Sequence, residues 1–149
     1  MPGTRNETEY RITTEKPTWD EYFLEIAKVV KIRSDCERDK VGSVIVDQEH
    51  RIVSTGYNGA PAGKPGCATC PRRTANVEPG SSYDTGPGAC VALHAEQNAV
   101  IYGDRKDLRG ATIYVSRKPC GGCRKTIGGS GIARIVYPDQ DNNIIEETV

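Results

Sequence analysis

Along residues 18–34, apolar side chains recur at Tyr22, Phe23, Ile26, Val29, Val30 and Ile32, the spacing of an amphipathic helix. Thr18-Trp19-Asp20-Glu21 stands at its start. This is a capping box, in which a threonine hydroxyl and a glutamate three residues later satisfy each other's backbone N–H groups. Residues 41–46 then read Val-Gly-Ser-Val-Ile-Val and residues 51–56 Arg-Ile-Val-Ser-Thr-Gly. Two β-branched runs around polar Asp47-Gln48-Glu49-His50 predict a hairpin. From Tyr57 to about Gly88 the periodicity gives way to Gly, Pro and Asn, which predicts a long irregular loop; loops of that length in a compact domain are usually functional or disordered. Helical spacing returns over residues 93–103 and 120–128, and short apolar runs at 111–115 and 133–137 predict strands. Strands alternating with helices imply an α/β sandwich whose later strands run parallel. The Tyr and Ile positions of the first helix are expected in the core.

Residues 1–16 are polar and carry no apolar run, so they predict a flexible arm ahead of one domain over 17–149. A chain of 149 residues is long enough to bury a real core. Its 20 basic and 20 acidic side chains cancel, leaving no electrostatic footprint for a nucleic-acid polymer, although one phosphate needs only one or two local cations. No stretch approaches the 18 apolar residues of a membrane helix, and no targeting pattern precedes the domain. These features predict a cytoplasmic protein with neither membrane nor polymeric nucleic acid as partner. In a reducing compartment its six cysteines are metal ligands or redox groups more often than disulfides.

Two segments carry the chemistry: His94-Ala95-Glu96 and Pro119-Cys120-Gly121-Gly122-Cys123. One imidazole and two thiolates hold a zinc ion by three ligands and leave a fourth position for water, the arrangement of a catalytic rather than a closed structural site. Both segments fall at predicted helix starts, where the helix dipole favours thiolates. Zinc brings the pKa of its water toward neutrality, and Glu96, two residues past the histidine, is placed to move that water's protons. The set H-x-E…P-C-x-x-C is the signature of zinc nucleobase deaminases. The bland alternative is a structural zinc knuckle with Glu96 as an ordinary helix-start acid.

Asp39-Lys40-Val41-Gly42-Ser43-Val44-Ile45-Val46, Ser54-Thr55-Gly56-Tyr57-Asn58-Gly59-Ala60-Pro61-Ala62-Gly63 and His94-Ala95-Glu96-Gln97-Asn98-Ala99-Val100 resemble the deoxycytidylate (dCMP) deaminases, over about residues 17–138. The resemblance implies a cytidine deaminase-like three-layer α/β/α sandwich with a mixed sheet, and hydrolysis of a cytosine 4-amino group to uracil and ammonia. It implies zinc on His94, Cys120 and Cys123, proton transfer by Glu96, a sugar contact by Asn58 and a substrate contact at Ala95. dCMP is the expected substrate, with cytidine, CMP or a modified cytosine nucleoside or nucleotide as the alternative. A homo-oligomer, often a hexamer, is implied as well, with dCTP and dTTP as effectors acting near Gly59–Gly63.

The chain departs from that family after the last expected strand. An Asp-Lys-Tyr-like segment there commonly helps hold phosphate, whereas here Tyr137 is followed by Pro138-Asp139-Gln140-Asp141-Asn142-Asn143. Arg117 and Lys118, just before the cysteine motif, are the preferred phosphate cations, while Arg72-Arg73 and His50 are expected to be solvated. Some dCMP deaminases hold a second, structural zinc. Cys36 and Cys67 match such ligand positions, and Cys70 and Cys90 would complete a shell of four thiolates anchoring the long loop. Otherwise Cys36 is a small buried hydrophobe and Cys67/Cys70 a surface pair.

Overall fold

A computed structural model describes residues 15–67, 70–86 and 88–149, so all but the last two residues of the expected arm 1–16 lie outside the described residues. The Thr18 hydroxyl accepts from Glu21 N at 3.1 Å, and Glu21 Oε1 accepts from Thr18 N at 3.1 Å. That box starts α1 (Trp19–Val30), which tightens into a 3-10 turn at Lys31–Arg33. The helix buries Phe23, Leu24 and Ala27. Tyr22 and Ile32 stay about half exposed, at 46% and 50%, correcting their expected place in the core: the stripe facing the sheet is one residue to the side of them.

The hairpin forms as expected, with β1 (Gly42–Val46) antiparallel to β2 (Ile52–Tyr57). His50 takes the left-handed conformation at φ 62° in its turn and stacks on Trp19 with ring centroids 4.2 Å apart, so it is not merely solvated. The long loop contains a one-turn helix, α2 (Pro71–Thr74). There follow α3 (Ala95–Tyr102), the short α4 (Arg105–Leu108) capped by Asp104, β3 (Thr112–Val115), α5 (Gly121–Ser130) and β4 (Arg134–Pro138). A fifth strand, β5 (Ile144–Thr148), closes the chain. The sheet order is β2-β1-β3-β4-β5. β3 and β4 run parallel, and every other pair is antiparallel.

The two faces of this mixed sheet bury separate cores. Phe23, Leu24 and Ala27 of α1 meet Val44, Val46, Tyr114 and Val136 on one face. Ala99 of α3 and Ile127 of α5 meet Ile45, Ile113, Val115 and Ile135 on the other. The result is the expected three-layer α/β/α sandwich. The layer carrying α3 lies unusually close to the hairpin. Two buried hydroxyls donate to its carbonyls, Ser43 Oγ to Ala95 O at 2.9 Å and Ser54 Oγ to Ala99 O at 2.6 Å. At Gly56 a Cβ would fall 2.3 Å from Ala95 O, so only glycine fits beneath the helix.

The acidic stretch after Tyr137 is a turn leading into β5. Asp139 Oδ1 accepts from Asp141 N at 2.9 Å and Asn143 N at 2.8 Å, an Asx-type turn. Successive β5 residues then point to opposite faces. Glu146 pairs with Arg134 at 2.7 Å and Glu147 pairs with Arg124 of α5. Arg134 also reaches Asp20 of α1 at 2.6 Å, so the last strand is tied by ion pairs toward both helical layers.

Candidate active site

His94 is the N-cap of α3 and Cys120 the N-cap of α5. His94 N donates to Gln97 Oε1 at 2.8 Å, which fixes the backbone of the first residue. Cys123 N lies 3.4 Å from Cys120 Sγ, so the first turn of α5 folds back on its own thiol. The two helix starts face each other: His94 Nδ1 lies 3.1 Å from Cys123 Sγ and 3.4 Å from Cys120 Sγ. The three donor atoms all fall within 4.8 Å of one another. Tetrahedral zinc with ordinary Zn–N and Zn–S bonds sets such atoms about 3.5 Å apart, close to what the chain provides.

Charge at the cluster makes the same demand. Burial, then the carboxylate of Glu96, then the thiol of Cys120 push the Cys123 thiol well above its ordinary value. Two thiols and a buried carboxyl crowd together there, since Glu96 is only 4% exposed. A dication reverses that effect and lets both sulfurs ionise. The donor set therefore fits zinc. Cys123 is buried while His94 and Cys120 are exposed, so the trio opens on one side into a cavity of about 850 Å³, roughly the size range of small-molecule sites.

That cavity gathers most of the residues singled out from sequence. His94, Ala95, Glu96, Cys120 and Cys123 line it with Asn58, Arg117 and Lys118. Asn58 is held at both ends of its amide: Nδ2 donates to Asp39 O at 2.7 Å, and Oδ1 accepts from Val41 N at 2.8 Å. Ala95 is fully buried, its carbonyl accepting from Ser43. Arg117 forms an ion pair with Asp39.

Cys36, Cys67, Cys70 and Cys90 line the same cavity. Burial first, then nearby Asp35, Cys36 and Cys90, push the Cys67 thiol upward. Among the described residues, however, only the His94 trio brings three such donors within 4.8 Å of one another, so these four thiols do not draw together into a closed shell. The expectation of a solvated Arg72 is also corrected. It is 4% exposed, with Nη1 donating to Ser82 O at 2.6 Å; its position one residue past a helix-starting proline turns it under the loop. Two further cavity residues, Arg38 and Tyr83, carry no signal in the sequence. Neither belongs to a motif, and only the folded loop brings them together.

The family model for the cytidine and deoxycytidylate deaminase zinc-binding region matches residues 17–138. The chain is 57% identical over 126 residues to a deoxycytidylate deaminase of Mycobacterium phage D29, covering 84% of this chain and 98% of that one. It is 36% identical over 119 residues to the human deoxycytidylate deaminase, covering 80% of this chain and 64% of that one. Among solved structures it is similar to the dCMP deaminase from cyanophage S-TIM5 in complex with dCMP and dUMP, with a TM-score of 0.61 and 28% identity over 84% of each chain. The site geometry and these likenesses agree: the chain belongs to the cytidine and deoxycytidylate deaminase family, and zinc is its cofactor.

Proposed function

We propose that this protein hydrolyses dCMP to dUMP and ammonia. The observation that carries the reading is the His94, Cys120 and Cys123 cluster beside buried Glu96 at the floor of a nucleotide-sized cavity, in a chain with deoxycytidylate deaminase relatives. His94 and the two cysteines hold the metal. When bound there, zinc supplies a Lewis acid that brings water toward ionisation at neutral pH. Glu96 takes a proton from the attacking water and delivers protons to the ring nitrogen and the departing amino group. At C4 a C–O bond forms and the C–N bond breaks, so water and dCMP leave as dUMP and ammonia. Asn58 and the backbone at Ala95 line the sugar and base side of the cavity, with Arg117 and Lys118 at its mouth.

Glu96→Gln tests the mechanism. Turnover should fall by about 10²–10⁴-fold, the range of a lost general acid–base group, with zinc still bound one per site; persistence of activity with the metal retained refutes the shuttle. A panel of dCMP, CMP, deoxycytidine and cytidine tests the substrate, and faster turnover of cytidine would overturn dCMP. The same reading includes a cytoplasmic homo-oligomer, often hexameric in this family, answering to dCTP and dTTP near Gly59–Gly63; light scattering with and without each triphosphate checks it. It also includes a second zinc on Cys36, Cys67, Cys70 and Cys90. Metal analysis should find two zinc per chain and one in Cys67→Ser, and one zinc in both proteins sinks it. No described helix is long and apolar enough to cross a membrane.

A further inference from the structure

The two halves of the metal cluster are held by different means. His94 starts α3, and the buried hydroxyls of Ser43 and Ser54 fix that helix to the hairpin through its carbonyls. Cys120 and Cys123 start α5, where four of the ten residues are glycine, the poorest helix former after proline. At Gly121, Gly128 and Gly129 an added Cβ would meet nothing within 4 Å, so close packing does not account for them. Ile127 seats this helix in the core, but it lies a full turn beyond Cys123. The first turn, which carries both thiols, needs a tie of its own.

Among the described residues one cluster of side-chain polar contacts joins α5 to the sheet, and it leaves from the residue after Cys123. The Arg124 guanidinium pairs with Glu147 Oε2 of β5, and Glu147 Oε1 accepts from the Tyr137 hydroxyl of β4 at 3.0 Å. Both carboxylate oxygens are thereby used. Tyr137 is 5% exposed, and Glu147 stands opposite Ile135 in the β4–β5 ladder, so the acid is fixed from the sheet side. An isolated surface ion pair holds little. This one is 33% and 31% exposed at its two side chains and continues into a buried tyrosine. Lys118, two residues before Cys120, adds its charge to the same carboxyl, so Glu147 faces cations from both flanks of the cysteine motif.

None of Arg124, Tyr137 and Glu147 lines the catalytic cavity, so their influence on the reaction passes through α5. Resting on the reading that His94, Cys120 and Cys123 hold zinc, we propose that Glu147 is a positioning residue for the metal centre. Through Arg124 it sets the first turn of α5 against the start of α3, and with it the place of both thiolates relative to His94. The last strand, remote from substrate, thus belongs to the frame of the metal site. Residues that orient metal ligands from outside carry about 10–100-fold of metal affinity or activity.

Cobalt(II) loaded into the full chain in place of zinc reports the donor geometry, and the thiolate bands that vanish in Cys123→Ser belong to this site. Glu147→Gln should shift those bands, release the metal to a competing chelator about 10–100-fold faster than wild type, and lower kcat of the zinc enzyme on dCMP with KM little changed. Arg124→Ala removes the other end of the pair and should do the same. The double variant should be no worse than either single one, since all three lose one link. Glu146→Gln breaks the neighbouring ion pair of the same strand, to Arg134. It should lower the melting temperature comparably, yet leave the bands, the metal release and kcat at wild-type values. Wild-type bands and release in both Glu147→Gln and Arg124→Ala overturn the proposal and leave the zinc ligands standing. An equal disturbance in Glu146→Gln overturns it too, since the effect is then a general loosening of β5. Wild-type bands indifferent to Cys123→Ser remove the ligand assignment and the proposal with it.

Discussion

Adding one methyl group at Gly56 should move the active site without touching it. A Cβ there would lie 2.3 Å from Ala95 O, 2.5 Å from Ala99 N and 3.1 Å from Ala99 Cα. All three are backbone atoms of α3, so no rotamer change relieves the contact. A carbon approaches a carbonyl oxygen no closer than about 3.3 Å, so α3 must retreat from β2 by about 1 Å. His94 begins that helix and Glu96 sits in its first turn, while Cys120 and Cys123 ride on α5. The ligand trio would therefore open. A 1 Å misplacement of reacting groups costs about 100-fold in rate, and forced overpacking costs about 1–3 kcal/mol of stability. Gly42→Ala supplies the control. Its Cβ would meet Ala27 O at 2.1 Å and Lys31 N at 2.5 Å, an equal insult on the α1 face. Both variants should melt roughly 3–10 °C lower. At 15 °C, far below either transition, Gly56→Ala should show kcat on dCMP reduced by about 100-fold, with weakened zinc retention against a competing chelator, and Gly42→Ala a much smaller loss. Equal losses of kcat in the two variants, or full turnover in Gly56→Ala, would refute the reasoning.

Other consequences follow from the charges. Burial tends to raise the Asp20 carboxyl, but hydrogen bonds from Arg134 and Tyr114 and the guanidinium charge outweigh it, so Asp20 titrates below its ordinary 3.8. A carboxyl lowered on folding stabilises above its unfolded value and loses that contribution as pH falls through the folded one. Asp20→Asn should therefore cost about 1 kcal/mol in urea melts at pH 7, with the gap to wild type closing below the ordinary value. Prolonged dialysis against a strong chelator should abolish turnover and lower the melting temperature, and stoichiometric zinc should restore both; activity that survives verified metal removal would exclude zinc from the reaction.

The architecture is legible in the sequence where one local signal suffices. The Thr18–Glu21 box, the hairpin around residues 47–50 and the two helix starts bearing His94 and Cys120 all rest on neighbours within a few positions. Legibility ends where distant partners decide. β5 is hidden because Ile144-Ile145-Glu146-Glu147 reads as an acidic tail until Arg134 and Arg124 stand opposite it. Tyr22 and Ile32 read as core positions because periodicity locates an apolar stripe only to within a residue. Arg72, Tyr83 and Arg38 cannot be associated at all, since the first two lie inside the long loop, Arg38 lies ahead of the hairpin, and the ring contact joining them is tertiary.

β5 also bears on how the protein behaves in acid. It is the outermost strand, shielding the edge of β4 with its Ile135, Val136 and Tyr137. Beside its backbone ladder to β4, it is tied by Glu146 and Glu147, whose carboxyls are lowered by their arginines, so these ties hold at mildly acidic pH and are lost as each acid takes up a proton. The strand would then peel from its neighbour and leave an unpaired, apolar β4 edge open to pairing with other chains. Acid loss of this protein should accordingly be colloidal, a concentration-dependent precipitation through sheet edges that begins at β5.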